Sequence, residues 1–113
     1  MERGGGSANL DIDVSHADGA CVVRLTGEFD LAGVDAFEAE LQDLPGAAGI
    51  LVLDMRGLSF MDSSGLRAVV MADRRIRAEG RRFVVVRGPE RVSRVLDLTG
   101  VSERLELVDH FPG

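Results

Sequence analysis

Apolar and polar positions alternate from Leu10 through Asp11, Ile12 and Asp13 to Val14, a period of two that predicts a half-buried strand. Ala17-Asp18-Gly19-Ala20 supplies a turn. The β-branched, apolar run Cys21 to Thr26 then predicts a second strand, paired with the first as a hairpin and ended by Gly27. From Leu31 to Leu44 the period changes: Val34, Phe37, Leu41 and Leu44 recur at helical spacing, with Asp30 as N-cap and Pro45-Gly46 as stop. Ile50 to Leu53 is continuously apolar, which predicts a central parallel strand, ended by Asp54 and buried on both faces by helices. A second helix is predicted over Ser63 to Glu79, with Leu66, Val69, Ala72 and Ile76 on one face and Gly80 at its end. Phe83 to Val86 repeats the uninterrupted apolar pattern, so strand, helix and strand make one βαβ unit. Pro89 opens a third helix, with Val92, Val95 and Leu96 inward and Gly100 closing it, and Leu105 to Val108 forms an edge strand or packs as a loop. The predicted class is α/β, a single small domain with a mixed, mostly parallel sheet and helices packed against it.

The chain has 113 residues, enough for one core and too few for a second. Nothing in Gly4-Gly5-Gly6-Ser7 can pack, so residues 1–8 are expected to be a flexible N-terminal segment and residues 9–113 the domain. Five Phe with no Trp or Tyr imply an aliphatic core and leave few platforms on which bases could stack. A net charge of −6 argues further against nucleic-acid binding, which needs positive surface to neutralise phosphates. No apolar run approaches the roughly 18 residues of a membrane span, and Met1 to Leu10 does not resemble a signal peptide. A single cysteine, Cys21, forms no internal disulfide and no multi-cysteine zinc site. A reducing, cytoplasmic location is therefore expected, with Cys21 an inert core thiol. His16 and His110 are far apart and unaccompanied, so neither a metal site nor a serine–histidine pair is expected, and no cofactor is implied.

Charge is distributed unevenly. Residues 1–66 carry a net −9, residues 67–94 a net +6 and residues 95–113 a net −3. The basic block covers the second helix and the residues after it. Arg74, Arg75, Arg81 and Arg82 are expected to point outward as a solvated face, with docking of a partner or an acidic lipid surface as the alternative.

The segment Gly57 to Leu66 leads from the central strand into the second helix, and ligands of open α/β sheets are met beyond the carboxyl ends of strands. Ser63 or Asp62 would cap that helix by satisfying one of its unpaired N–H groups. On the structural reading Asp62-Ser63-Ser64 is only a cap and Gly65 only allows close packing. On the functional reading a serine hydroxyl is displayed beside a carboxylate at a positive helix end, where phosphorylation would add about −1.5 to −2 charges. Met55 and Met61 flank the segment as core filler or as partner-facing residues.

The run Leu53-Asp54-Met55-Arg56-Gly57-Leu58-Ser59-Phe60-Met61-Asp62-Ser63-Ser64-Gly65-Leu66 comes after Leu25-Thr26-Gly27-Glu28-Phe29-Asp30 and precedes Val95-Leu96-Asp97-Leu98-Thr99-Gly100. Three such segments in this order resemble a STAS domain of the anti-sigma factor antagonist type, over roughly residues 10–108. The resemblance implies a small αβ domain that is a substrate and binding module and not an enzyme. It implies phosphorylation on Ser63 by an anti-sigma factor that is also a serine/threonine kinase. A metal-dependent serine/threonine phosphatase would reset the site. The unphosphorylated form would bind the kinase and release a sigma factor, and the phosphorylated form would let the kinase return. The implied partner face comprises Asp30, Phe60, Met61, Asp62, Ser63, Ser64 and Arg67, on a monomer or weak dimer. Asp62 presents Ser63 or merely caps the helix, Asp30 is equally a cap or a partner contact, and Ser64 is a secondary candidate phosphosite.

Rival readings share the fold: a scaffold or stressosome-like subunit, or an accessory subunit docking on a lipid-transport ATPase. A hydrolase with Ser63 as nucleophile lacks both a placed histidine base and a Gly-x-Ser-x-Gly elbow.

Overall fold

In the computed structural model, which describes residues 3–6, 9–44 and 49–111, a six-stranded sheet runs in the order β1-β2-β3-β4-β5-β6. Its strands are β1 (Arg3–Gly6), β2 (Leu10–Ala17), β3 (Ala20–Phe29), β4 (Ile50–Met61), β5 (Arg82–Val86) and β6 (Glu106–Val108). Three helices, α1 (Leu31–Gln42), α2 (Ser63–Ala78) and α3 (Glu90–Leu98), alternate with the later strands. The first two pairings are antiparallel and the other three are parallel. This is the predicted mixed, mostly parallel α/β domain.

The β2–β3 hairpin turns at Asp18 and Gly19, both with positive φ, the backbone that a two-residue turn between twisted strands requires. β3 does not end at Gly27 as its composition suggests. Gly27 lies within the strand at φ +102°, and a Cβ there would come within 2.3 Å of the Asn9 carbonyl oxygen. The strand therefore crosses its neighbour and continues to Phe29.

The largest departure from the expected pattern is β4. The residues after Asp54, predicted as a connection, continue the strand to Met61, with two register shifts against β3. Each shift sets an extra β4 residue against its partner, a bulge that breaks the period of two and bends the strand. Ser59 Oγ donates to the Gly27 carbonyl at 3.2 Å, tying the bulged stretch down.

The flexible segment expected over residues 1–8 is corrected at Arg3–Gly6, which pairs antiparallel with Asp11–Val14. Backbone hydrogen bonds hold a strand whose glycines contribute no side-chain packing. Residues 1, 2, 7 and 8 lie outside the described residues, as does the Pro45-Gly46 stop predicted for α1.

One face of the sheet carries the main core, in which the inward faces of all three helices meet Leu10, Ile12, Val23, Leu25, Leu51 and Leu53. The core is not purely aliphatic: Phe29, Phe37 and Phe83 are fully buried, and the first two rings tilt against each other at 4.9 Å. The second face holds a smaller buried cluster, Ala20, Val22, Val52, Val84 and Val86, flanked by Val108 and Phe111. Among the described residues no helical residue joins it. The expectation of helices on both faces is thus corrected, since only one face is covered by helices. Among the described residues no helix is long and apolar enough to cross a membrane.

Candidate functional site

The parallel pairing of β3 with β4 brings their carboxyl ends together, with Phe29 opposite Met61. The Asp62 N–H donates to the Phe29 carbonyl at 3.3 Å, so the next residues along the two strands, Asp30 and Asp62, lie at the same sheet end. Each caps a helix. Asp30 Oδ1 accepts from the Ala32 N–H at 3.1 Å and begins α1, while Asp62 Oδ1 accepts from the Ser64 and Gly65 N–H groups at 2.9 and 3.1 Å and begins α2. Two helix N-termini therefore open at one end of the molecule, each with a carboxylate on its free N–H groups.

Capping by Asp62 decides what Ser63 can do. Ser63 is the first residue of α2 and is exposed, and among the described residues its hydroxyl has no hydrogen-bond partner. Ser64 is half-buried, with its N–H committed to Asp62, which makes it the less accessible of the two hydroxyl residues. Gly65 sets how closely α2 sits on the sheet. A Cβ at that position would lie 2.5 Å from the Phe29 carbonyl oxygen and 3.0 Å from side-chain carbons of Met61 and Phe29.

Of the predicted face, Asp30, Asp62 and Ser63 lie at this sheet end, and Phe60, two residues before Asp62 in the chain, is 41 % exposed. Met61 is corrected: it is buried beneath the start of α2 as a core residue, because alternation along the end of β4 turns it toward the helices. Met55 is core as well. Arg67 is exposed one helical turn beyond Ser63, and Met71 and Arg74 continue an exposed line along α2. Leu31, at 73 % exposure beside Asp30, is a surface residue that the pattern did not single out. Its spacing from Val34 matches the inner face of α1, so helical period alone would bury it. Only its place at the very start of the helix, next to the cap, could have flagged it.

The outward arginine face also needs correction. Arg74 and Arg82 are exposed, but Arg75 and Arg81 are half-buried. Arg75 lines the groove between α1 and α2, and Arg81 lies against the carboxylate of Glu79 at 3.3 Å. Arg82 pairs with Glu106 across to β6.

A second polar cluster, on the helix-free face, involves Asp54. Only 1 % exposed, its carboxylate accepts from Arg24 Nε at 3.1 Å, from Arg56 Nε at 3.0 Å, from Arg56 Nη2 at 2.8 Å and from the Arg56 N–H at 3.0 Å. Burial pushes the Asp54 carboxyl up, but hydrogen bonds from the Arg56 side chain and backbone and from Arg24 together outweigh it and hold the group below the ordinary carboxylate value. Both oxygens of Asp54 are thus engaged, Oδ1 by Arg56 of its own strand and Oδ2 by Arg56 and, across to β3, by Arg24.

Cys21 is fully buried, His16 and His110 are exposed, and among the described residues no group of three His, Cys, Asp or Glu side chains is placed to hold a metal ion.

The family model described as Mlab, STAS domain, matches residues 12–109. An anti-sigma F factor antagonist of Paenibacillus polymyxa is 30% identical over 104 residues, covering 90% of this chain and 89% of the relative. An anti-sigma-B factor antagonist of Bacillus subtilis is 24% identical over 88% of this chain and 91% of its own length. Among solved structures, an anti-sigma factor antagonist from Mycobacterium paratuberculosis superposes with a TM-score of 0.76 at 26% identity, covering 90% of this chain and 87% of that one. With a family model spanning most of the chain and a relative of nearly equal length, the protein belongs to the STAS domain family of anti-sigma factor antagonists.

Proposed function

We propose that this protein is a phosphorylation-controlled binding module that acts on an anti-sigma factor, and not a catalyst. In its unmodified form it binds an anti-sigma factor serine/threonine kinase and frees that kinase's sigma factor. The observation that carries this reading is the state of Ser63: exposed at the first position of α2, with its hydroxyl left unengaged because Asp62 performs the capping. A serine needed only as a cap would direct its oxygen at the helix N–H groups.

In the kinase complex, Ser63 Oγ attacks the γ-phosphorus of a bound nucleoside triphosphate. The new O–P bond forms as the bond from that phosphorus to the β–γ bridging oxygen breaks, and the hydroxyl proton passes to a base of the kinase or to solvent. The phosphoserine brings a charge of about −1.5 to −2 to a surface that already holds Asp30 and Asp62. Leu31 and Phe60 supply exposed apolar area there, and a phosphate next to them would have to lose its hydration in the complex. Desolvating a phosphate at an interface costs several kcal/mol, so the kinase dissociates and returns to sigma. A metal-dependent serine/threonine phosphatase restores the hydroxyl, and the whole cycle runs in the cytoplasm. Asp30, Asp62, Phe60, Arg67 and Leu31 form the contact face around Ser63.

Intact-mass measurement with phosphopeptide mapping, on protein recovered from its native cells under growth and under stress, tests the reading. It predicts one phosphoryl group on Ser63 whose occupancy changes between the conditions. An unmodified Ser63 in both would contradict it.

A further inference from the structure

We propose that Arg67 is the internal counter-ion of phosphorylated Ser63, closing over the phosphate along the outer face of α2. This rests on the reading of Ser63 as the phosphorylated residue and adds where the phosphate's charge goes.

A phosphate at a helix N-terminus ordinarily draws on the free N–H groups there. In this chain most of those groups are spent: Ser64 and Gly65 donate to the Asp62 carboxylate and Leu66 to the Asp62 carbonyl at 3.0 Å, which leaves the phosphate little beyond Ser63's own N–H. The other charges at this sheet end, Asp62 and Asp30, repel the phosphate. It must find a cation elsewhere or remain unpaired.

Arg67 is four residues on from Ser63 in the same helix, about 6 Å along the axis, and both residues are exposed. An acidic group four residues N-terminal to a cation is the favourable order for such a pair. A guanidinium can grip a phosphate with two parallel hydrogen bonds. Arg67 is also uncommitted. Arg24 and Arg56 are held by Asp54, Arg77 by Asp73 and Arg82 by Glu106, whereas Arg67 has no ion pair among the described residues. Arg74, which is likewise exposed on α2 with no ion pair among the described residues, begins about 16 Å along the axis from Ser63, beyond a phosphoserine's reach.

The pairing has two consequences. Phosphorylation withdraws Arg67 from the partner face in addition to placing negative charge there. It also anchors the first turns of α2, so the modified protein stays folded and the switch acts through surface charge.

The test installs phosphoserine at position 63 of the full chain during translation and follows its second ionisation by phosphorus NMR. Three proteins are compared: the parent, Arg67→Gln and Arg74→Gln. Pairing stabilises the dianion, so the midpoint in the parent is expected below the unperturbed value of about 6, and Arg67→Gln should raise it by about half a pH unit. Arg74→Gln should match the parent. Equal midpoints for the parent and Arg67→Gln, or an equal rise for both variants, would overturn the proposal. Because no kinase is involved, this result is separate from the mapping of Ser63 in cells. A serine never phosphorylated in cells would refute the function while leaving the titration intact, and unmoved midpoints would refute the pairing alone.

Discussion

Asp54 lies within β4 and Asp62 just beyond its end, and the fold uses the two carboxylates in opposite ways. Asp54 is buried on the helix-free face, and two guanidinium groups and a backbone N–H saturate it. Asp62 is half-exposed and gives its oxygen to the first N–H groups of α2, which leaves the neighbouring serine hydroxyl unengaged. A polar group inside a sheet must be satisfied by the protein itself, because water cannot reach it. A polar group at the carboxyl end of the strands faces solvent, so its capping work is compatible with leaving the neighbouring hydroxyl exposed. The same residue type therefore links β4 to β3 in one place and caps a helix beside an exposed serine in the other.

Substitutions separate these roles. The largest stability effect is expected at Gly65, where a side chain would meet the Phe29 backbone. Gly65→Val should cost about 3 kcal/mol in urea unfolding and weaken partner binding as well, because α2 must lift from the sheet. Asp54→Ala should cost about 2 kcal/mol by the same measurement, since it frees two half-exposed arginines from their shared carboxylate, but partner affinity should not change. Asp62→Ala loses a helix cap worth about 1 kcal/mol, and Asp62→Asn should restore most of that. Ser63→Ala, which removes an unengaged hydroxyl, should shift stability by less than about 0.5 kcal/mol.

Acid unfolding tests the Asp54 cluster by a second route. The folded Asp54 carboxyl titrates below its unfolded value of about 3.9, so its contribution is complete above that pH and is lost as pH falls through the lower, folded value. Glu106, lowered by its hydrogen bond to Arg82, contributes in the same direction. Unfolding curves at pH 7 and pH 3 should therefore differ less for Asp54→Asn than for the parent. An unchanged difference would remove Asp54 from the acid response.

Most of the architecture was legible from period alone, because β2, β5 and the three helices each present one apolar face or a continuous apolar run. The extension of β4 was not. Two bulges destroy its alternation, and Gly57 and Ser59 within it look like turn residues. β1 was hidden for a simpler reason: a strand of glycines has no side-chain pattern, and only its backbone pairing defines it. At the site, Asp30 and Asp62 were legible because capping needs short polar side chains at fixed offsets from an apolar face, and Ser63 because it stands beside the cap. Met61 and Leu31 were not, because burial at an element's end depends on how far the packed layer extends, which is a property of the assembled sheet.

If phosphate on Ser63 turns partner binding off, the effect must appear in a direct comparison of affinities. An anti-sigma factor kinase retained by the Ser63→Ala protein serves as the ligand, and its affinity is measured for the unmodified chain and for the chain carrying phosphoserine at position 63. Binding should be weaker by about 100-fold or more in the phosphorylated form, the equivalent of roughly 3 kcal/mol. Equal affinities for the two forms would contradict the switch.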